Sequence, residues 1–524
     1  MQFHLADLFE HAVDHFPDRE YLVCDGKRRT YAEMEARANR LAHHLAAGGV
    51  EPGDHVGIYA LNSVEWVETI WACFKIRAVW ININYRYVED ELRYLFENAD
   101  LKALVYQEEY RERVTAVRDH LPLLQHALVI GDDYEAALAA ASPERDFGPR
   151  SADDHYILYT GGTTGMPKGV IWRHEDVFFT LGGGTDLMTG EKVQRPEDVV
   201  EKGKAGAMTM LPIAPLMHGA SQWATMSSAF VGNRVVLVPT FDPKDVWRLV
   251  EEERVNLLMI TGDAMGRPLI EALDDPTCTP DTSSLYAVSS TAALFSPAVK
   301  DKFFERFPNL ILTDAIGASE TGGQGVTMVK AGETTMKGGP TVKVTPGTQV
   351  LDEEWKRVEP GSGQVGKLAR TGHIPIGYYK DPVKTAETFV TVDGVRWSMP
   401  GDFATVEADG TVTLLGRGSQ SINSGGEKIY PEEVETAVKS HPDVYDAVVV
   451  GVPDERWGNR VAAVVQARPD RTPTLESIQE HCRTKIAGYK VPRQLELVTT
   501  VVRSPSGKPD YRWARSVAVP DASL

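Results

Sequence analysis

The 524-residue chain is poor in cysteine and has no long apolar run. Its four cysteines, Cys24, Cys73, Cys278 and Cys482, are scattered, with no C-x-x-C pair. That spacing speaks against a zinc site or a disulfide framework and fits a reducing compartment. No stretch of about 18 apolar residues occurs, so no membrane-spanning helix is expected. The N-terminus, Met1-Gln2-Phe3-His4, lacks the basic and apolar regions of a secretory leader. A cytoplasmic protein without integral membrane association is expected. Positive charge is in deficit: Lys and Arg total 55 against 74 Asp and Glu, a net charge of −19. Nucleic-acid binding needs a basic footprint and is disfavoured. Small anions remain eligible ligands, because local backbone N–H groups and a few cations can hold them.

Hydrophobic residues make up 42% and charged residues 25%, an ordinary globular composition. The length exceeds what one core supports, so at least two domains are expected. Leu5, Leu8, Phe9, Ala12, Val13 and Phe16 recur at helical spacing. Thr30 and Glu33 form a capping-box pattern opening a second helix through Leu45. Strand-like runs at 56–59, 103–106, 235–238, 257–260 and 310–312 alternate with helical stretches such as 245–253. Such alternation argues for α/β layers with largely parallel sheets. Near residue 416 glycine and serine cluster, and a small α+β unit follows. The expected division is 1–416 and 417–524, a large multi-sheet N-terminal domain and a small C-terminal one.

A strand at 157–159 runs into Thr160-Gly161-Gly162-Thr163-Thr164-Gly165-Met166-Pro167-Lys168-Gly169. Its glycines let backbone N–H groups converge, its threonine hydroxyls can bond phosphate oxygens, and Lys168 adds positive charge. It is not a Walker loop, since GxxxxGK[ST] is absent. A bare Gly-rich loop would more often be an idle surface loop. The Thr-Thr-Gly-x-Pro-Lys-Gly order resembles the signature of the adenylate-forming superfamily, which groups acyl-CoA synthetases, peptide-synthetase adenylation domains and beetle luciferases.

The resemblance covers essentially the whole chain, because further motifs follow in order. Leu211-Pro212-Ile213-Ala214-Pro215-Leu216-Met217-His218-Gly219 is similar to the acyl-pocket segment, which implies pocket roles for Met217, His218 and nearby Trp223. Asp314-Ala315-Ile316-Gly317-Ala318-Ser319-Glu320 resembles the adenine and magnesium segment. There Asp314 would face the adenine amino group, Ser319 would contribute to the ATP site and Glu320 would hold Mg²⁺. Relatives usually carry an aromatic residue where this chain has Ile316, so apolar contact with adenine is kept and stacking is not. Gly401-Asp402 resembles the ribose-binding segment, a carboxylate being matched to a vicinal diol. Arg417 would reach ribose or phosphate. Ser504-Pro505-Ser506-Gly507-Lys508 matches the C-terminal lysine loop, which implies that Lys508 is catalytic. Ser424, Gly425 and Gly426 would face the pantetheine arm, and Ser419 aligns with the hinge position.

The resemblance implies ATP, Mg²⁺ and coenzyme A as cofactor and co-substrates, and a mobile small domain. The implied reaction joins a carboxylic acid to AMP and then passes the acyl group to CoA. The segments 167–178, 217–224 and 421–435, with Gly262-Asp263-Ala264-Met265, look most like fatty-acid and steroid side-chain CoA ligases. An adenylation enzyme loading a carrier-protein thiol, a light-emitting monooxygenase and a non-catalytic nucleotide-binding relative are the alternatives. A carrier domain is not seen after Leu524, and Lys508, Glu320 and Asp402 are intact. A homodimer is left open.

Overall fold

A computed structural model describes residues 3–160, 166–186, 189–333, 339–424, 427–454, 457–505 and 507–519, without the Ser419 side chain. Gly161, Gly162, Thr163, Thr164, Gly165, Gly425 and Gly426 lie outside the described residues, as does Ser506.

The expected N-terminal elements form where local chemistry favours them. The first helix, Leu5–His15, buries Leu5, Leu8, Phe9, Ala12 and Val13. The second, Tyr31–Ala47, is opened by the Thr30–Glu33 capping box, which satisfies two otherwise orphaned N–H donors. Both pack with the helices Val64–Lys75 and Gly219–Phe230 in one large apolar core.

Two sheets organise the large lobe. A seven-stranded sheet carries His55–Tyr59, Val79–Asn82, Leu101–Gln107, His126–Ile130 and His155–Thr160 in parallel. Lys168–Arg173 returns antiparallel beside His155–Thr160. The second sheet has 15 strands. Half of it follows the expected parallel pattern: Glu20–Cys24, Arg234–Leu237, Thr209–Pro212, Leu257–Ile260, Ala287–Thr291 and Ile311–Ala318.

The other half does not. From Gly322–Val329 through Thr341–Val344, Val412–Arg417 and Asp402–Val406 to Val365–Thr371, neighbours run antiparallel. For the first of these pairs the reason is chain economy. Parallel neighbours need a crossover of a dozen or more residues, and Ala318 is only four residues from Gly322. The strand expected at 310–312 also runs on to Ala318, so the Asp314–Ala318 motif is strand rather than loop.

The small lobe is built on Val444–Asp454, Gly458–Ala467 and Gln494–Val498. Strand alternation splits its core in two. Ala447 and Val449 pack with the helices Pro431–Lys439 and Leu475–Arg483, while Val448, Val450 and Val452 pack with Tyr511–Ala518. Strand Val412–Arg417 ends the large sheet, a turn spans Gly418–Gln420, and the small hairpin begins at Ile422–Ser424.

Trp247, on the helix Pro243–Glu252, is fully buried and its indole N–H donates to the Leu269 carbonyl at 2.8 Å. Trp247→Ala should cost about 3–5 kcal/mol, the usual range for emptying a large aromatic site. A urea titration of the large lobe, followed by circular dichroism, checks it.

Candidate active site

Thr160 ends its strand directly opposite Lys168. The Lys168 ammonium is ion-paired with Asp381, whose other oxygen caps the helix Pro382–Thr388. Asn82 ties the Thr160 strand to the segment 211–219. Its amide donates to the carbonyls of Tyr159 at 2.7 Å and Met217 at 2.8 Å, and its oxygen accepts from the Tyr159 N–H at 2.8 Å. Asn62 does similar work, accepting from Leu216 N–H at 2.6 Å and donating to the Val238 carbonyl at 2.9 Å.

On the long strand Ile311–Ala318, Asp314 is buried and ion-paired with Lys300. Burial outweighs that partner and raises its carboxyl pKa. Gly317 is required by a close approach: a Cβ there would lie 2.5 Å from the Gly322 carbonyl oxygen. Ser319 accepts through its carbonyl from the Trp172 indole at 3.0 Å. One residue on, Glu320 is buried and accepts from the Tyr378 hydroxyl at 2.8 Å. Its carbonyl accepts from Ser398, so the backbone is held too.

Asp402 and Arg417 face each other across adjacent strands. Arg417 Nε is 3.4 Å from Asp402 Oδ1, and Arg417 Nη2 is 4.0 Å from Glu320 Oε2. The guanidinium thus lies between two carboxylates. Burial raises the Asp402 pKa, Arg417 opposes that rise and Glu320 adds to it.

The small lobe supplies the fourth charge. Lys508 sits in a tight loop where Ser504 N–H donates to the Lys508 carbonyl at 2.9 Å. Within that loop Gly507 N–H donates to the Ser504 carbonyl at 2.8 Å. Arg503 braces the loop, donating to the Gly507 carbonyl at 3.0 Å while gripping both oxygens of Asp446 at 2.7 Å. Lys508 keeps an exposed surface, yet enough protein surrounds it for desolvation to lower its pKa, with repulsion from Arg417 next. Attraction to Glu320 and Asp402 works the other way. Lys508, Arg417, Glu320 and Asp402 therefore share one cleft between the lobes.

The chain belongs to the AMP-binding enzyme family. The family match covers residues 9–379, and the AMP-binding enzyme C-terminal domain matches residues 433–508. The chain is 54% identical over 532 residues to the 3-oxocholest-4-en-26-oate–CoA ligase of Rhodococcus rhodochrous, covering 98% of this chain and 96% of that one. It is 53% identical over 524 residues to a medium/long-chain-fatty-acid–CoA/3-oxocholest-4-en-26-oate–CoA ligase of Mycobacterium tuberculosis, with 98% and 95% covered. In fold it resembles the anthranilate CoA ligase AuaEII solved with anthranoyl-AMP, with a TM-score of 0.87, 23% identity and coverage of 100% and 99%. ATP-bound MatB from Rhodopseudomonas palustris gives a TM-score of 0.83 at 25% identity, covering 98% of both chains.

Within this AMP-binding enzyme the remaining expected site residues are dispersed. Met217 and Trp223 are buried, Trp223 meeting the Tyr156 ring edge-on at 5.3 Å. Ser424 is buried in the hairpin with Glu427–Ile429. Ser419 lies in the Gly418–Gln420 turn. Tyr378, Trp172, Ser398, Asn82, Arg503 and Asp446 escaped sequence reasoning. Asn82 left a weak signal, an amide ending an apolar strand; the rest left none.

His218 precedes the helix Gly219–Phe230, and its Nε2 is buried without a hydrogen-bond partner among the described residues. Burial lowers its pKa to about 3, with the positive charges of Lys508 and Arg86 adding to the effect. The native ring is thus neutral, whereas the unfolded one protonates near 6.5. Stability from this residue is intact above pH 6.5 and is lost progressively as pH falls toward about 3. His218→Gln should flatten that acid-side slope, checked by urea midpoints between about pH 4 and 7.

Proposed function

We propose that this AMP-binding enzyme is an ATP-dependent acyl-CoA synthetase acting on a medium- or long-chain or steroid side-chain carboxylic acid. The observation that carries the reading is Lys508 of the small lobe held in the same cleft as Arg417, Glu320 and Asp402 of the large one. The acid class is supported by the names of the 53–54% identical relatives and by the apolar segment around Met217 and Trp223.

A free carboxylate is a poor acyl donor because oxide leaves badly. Attack of the carboxylate on the α-phosphate of ATP expels pyrophosphate and gives an acyl-adenylate. Two anions must meet, so cations at the reacting centre lower the barrier. Lys508 and Arg417 supply that charge. Asp402 is the acceptor suited to the ribose hydroxyls. The loop 161–165 and Lys168 would cradle the phosphates; for Lys168 this requires release from Asp381. Asp314 contacts adenine only if Lys300 shares it, and Ile316 offers an apolar wall.

Glu320 fits Mg²⁺. Among the described residues no cluster of three metal-binding side chains occurs, which matches an ion held by one carboxylate plus substrate phosphates. When bound it would neutralise phosphate charge, and Tyr378 would orient its carboxylate ligand.

The CoA thiol then attacks the adenylate carbonyl and AMP leaves. The small lobe, expected from residue 417 but beginning only after the large-sheet strand Val412–Arg417, is proposed to swing about Ser419 between the half-reactions. Withdrawal of Lys508 would bring the Ser424-Gly425-Gly426 face to the pantetheine arm. No helix among the described residues is long and apolar enough to cross a membrane, and we place the enzyme in the cytoplasm.

Lys508→Ala should slow pyrophosphate release about 10²–10³-fold, the scale for one lost transition-state partner. Acyl-CoA formation from supplied acyl-adenylate should stay nearly intact. Equal loss in both half-reactions, or transfer to a carrier protein but not to CoA, overturns the reading. Tyr378→Phe should raise the Mg²⁺ concentration for half-maximal rate roughly tenfold, checked by metal titration of pyrophosphate release.

A further inference from the structure

The Gly262-Asp263-Ala264-Met265 segment has no part in the chemistry above, yet the small lobe rests on it. It opens the helix Gly262–Ala272 of the large lobe. Three contacts, and one longer-range electrostatic interaction, run from this helix and its N-cap Thr261 across the seam.

The first is steric. Gly507, next to Lys508, has φ +73°, and a Cβ there would lie 2.9 Å from the Thr261 carbonyl and 3.0 Å from Ala264. The lysine loop is therefore seated directly on the start of the helix. The second is a cation over a ring: the Arg267 guanidinium lies 5.4 Å from the Tyr445 ring centroid of the small lobe. The third is an ion pair at the rim, Arg468 Nη1 to Glu271 Oε1 at 3.2 Å. The fourth is longer-ranged: Asp263 acts electrostatically on Arg503, the residue that braces the lysine loop.

Asp263 and Arg267 are 5% and 3% exposed, and they approach each other only to 3.8 Å. Asp263 Oδ1 accepts from Ser296 N–H at 2.8 Å, but Asp263 Oδ2 and Arg267 Nη2 lack hydrogen-bond partners among the described residues. A permanent interior would pair such charges fully or replace them with apolar groups. Incomplete pairing suits a seam that opens, because both groups regain water when the lobes part.

We propose that the helix Gly262–Ala272 is a reversible docking socket, with Arg267 and Glu271 as its latch, that holds the small lobe in the pose placing Lys508 at Arg417 and Glu320. Arg267 and Glu271 act as positioning residues through the lobe, touching no substrate. The inference rests on the synthetase reading for its kinetic consequence but not for its conformational one.

The test is a charge swap. Glu271→Arg and Arg468→Glu singly should each slow pyrophosphate release about two- to fivefold, the scale of a partly exposed ion pair. The double variant should recover most of the lost rate, short of wild type because Lys302, 3.3 Å from the same Glu271 oxygen, is left beside the new arginine. Arg267→Ala should slow the same step about tenfold, since it removes the buried cation facing Tyr445. Acyl-CoA formation from supplied acyl-adenylate should be unchanged in all of them. Spin labels at the exposed Glu305→Cys and Glu480→Cys positions, one on each lobe, read the pose directly; the four native cysteines are buried. The docked interlobe distance should lose population in the single variants and regain it in the swap. Unchanged populations, or single-variant losses that the swap does not repair, overturn the socket. Populations that shift as expected in a chain releasing no pyrophosphate would leave the socket standing and sink the synthetase reading.

Discussion

Two carboxylates and two cations from the two lobes meet in one cleft, and the rest of the molecule is arranged around that constraint. Glu320 and Asp402 would repel each other without Arg417 between them, 4.0 Å from one and 3.4 Å from the other. Burial pushes the Asp402 pKa up and the Lys508 pKa down, so each group depends on the others to stay ionised. Within the cluster Lys508 lowers the Asp402 pKa, so the two lobes are coupled electrostatically. A second interlobe carboxylate, Glu432, shows the same environment. It lies against Gly416, and burial, with repulsion from Glu435 and Asp402, pushes it to about 7.

The large lobe meets this demand with rigid strands. Register sets Asp402 opposite Arg417, and the turn after Ala318 sets Glu320 under the Tyr378 hydroxyl. Asn82 and Asn62 extend the same principle to the segment 211–219. Each is a buried amide that satisfies backbone groups on two segments distant in sequence and so fixes their spacing.

The small lobe has its own two-sided core, and polar and cation–ring contacts are among those that join it to the large lobe. Lys428 over Phe403 at 3.9 Å joins Arg267 over Tyr445 and Arg468 with Glu271. Such a seam separates at lower cost than an apolar one of equal area, because its groups are rehydrated. The internal bracing of the lysine loop by Arg503 and Asp446 belongs wholly to the small lobe, so the loop can travel as a preformed unit.

The sequence by itself determined the local elements and the family. The Thr30–Glu33 cap, the helical spacing from Leu5 to Phe16 and the small-lobe strands are written in neighbouring residues, and all appear in the structure. Motif order alone was enough to single out Lys508, Glu320, Asp402 and Arg417. Tertiary structure alone decided the antiparallel half of the great sheet, because helix and strand periodicity carry no strand direction. It decided the partners too: Tyr378 to Glu320 spans 58 residues and Arg503 to Asp446 spans 57. A contact between distant residues leaves no mark on local spacing. Only the folded chain shows which hydroxyl reaches which carboxylate, and which helix the small lobe rests on.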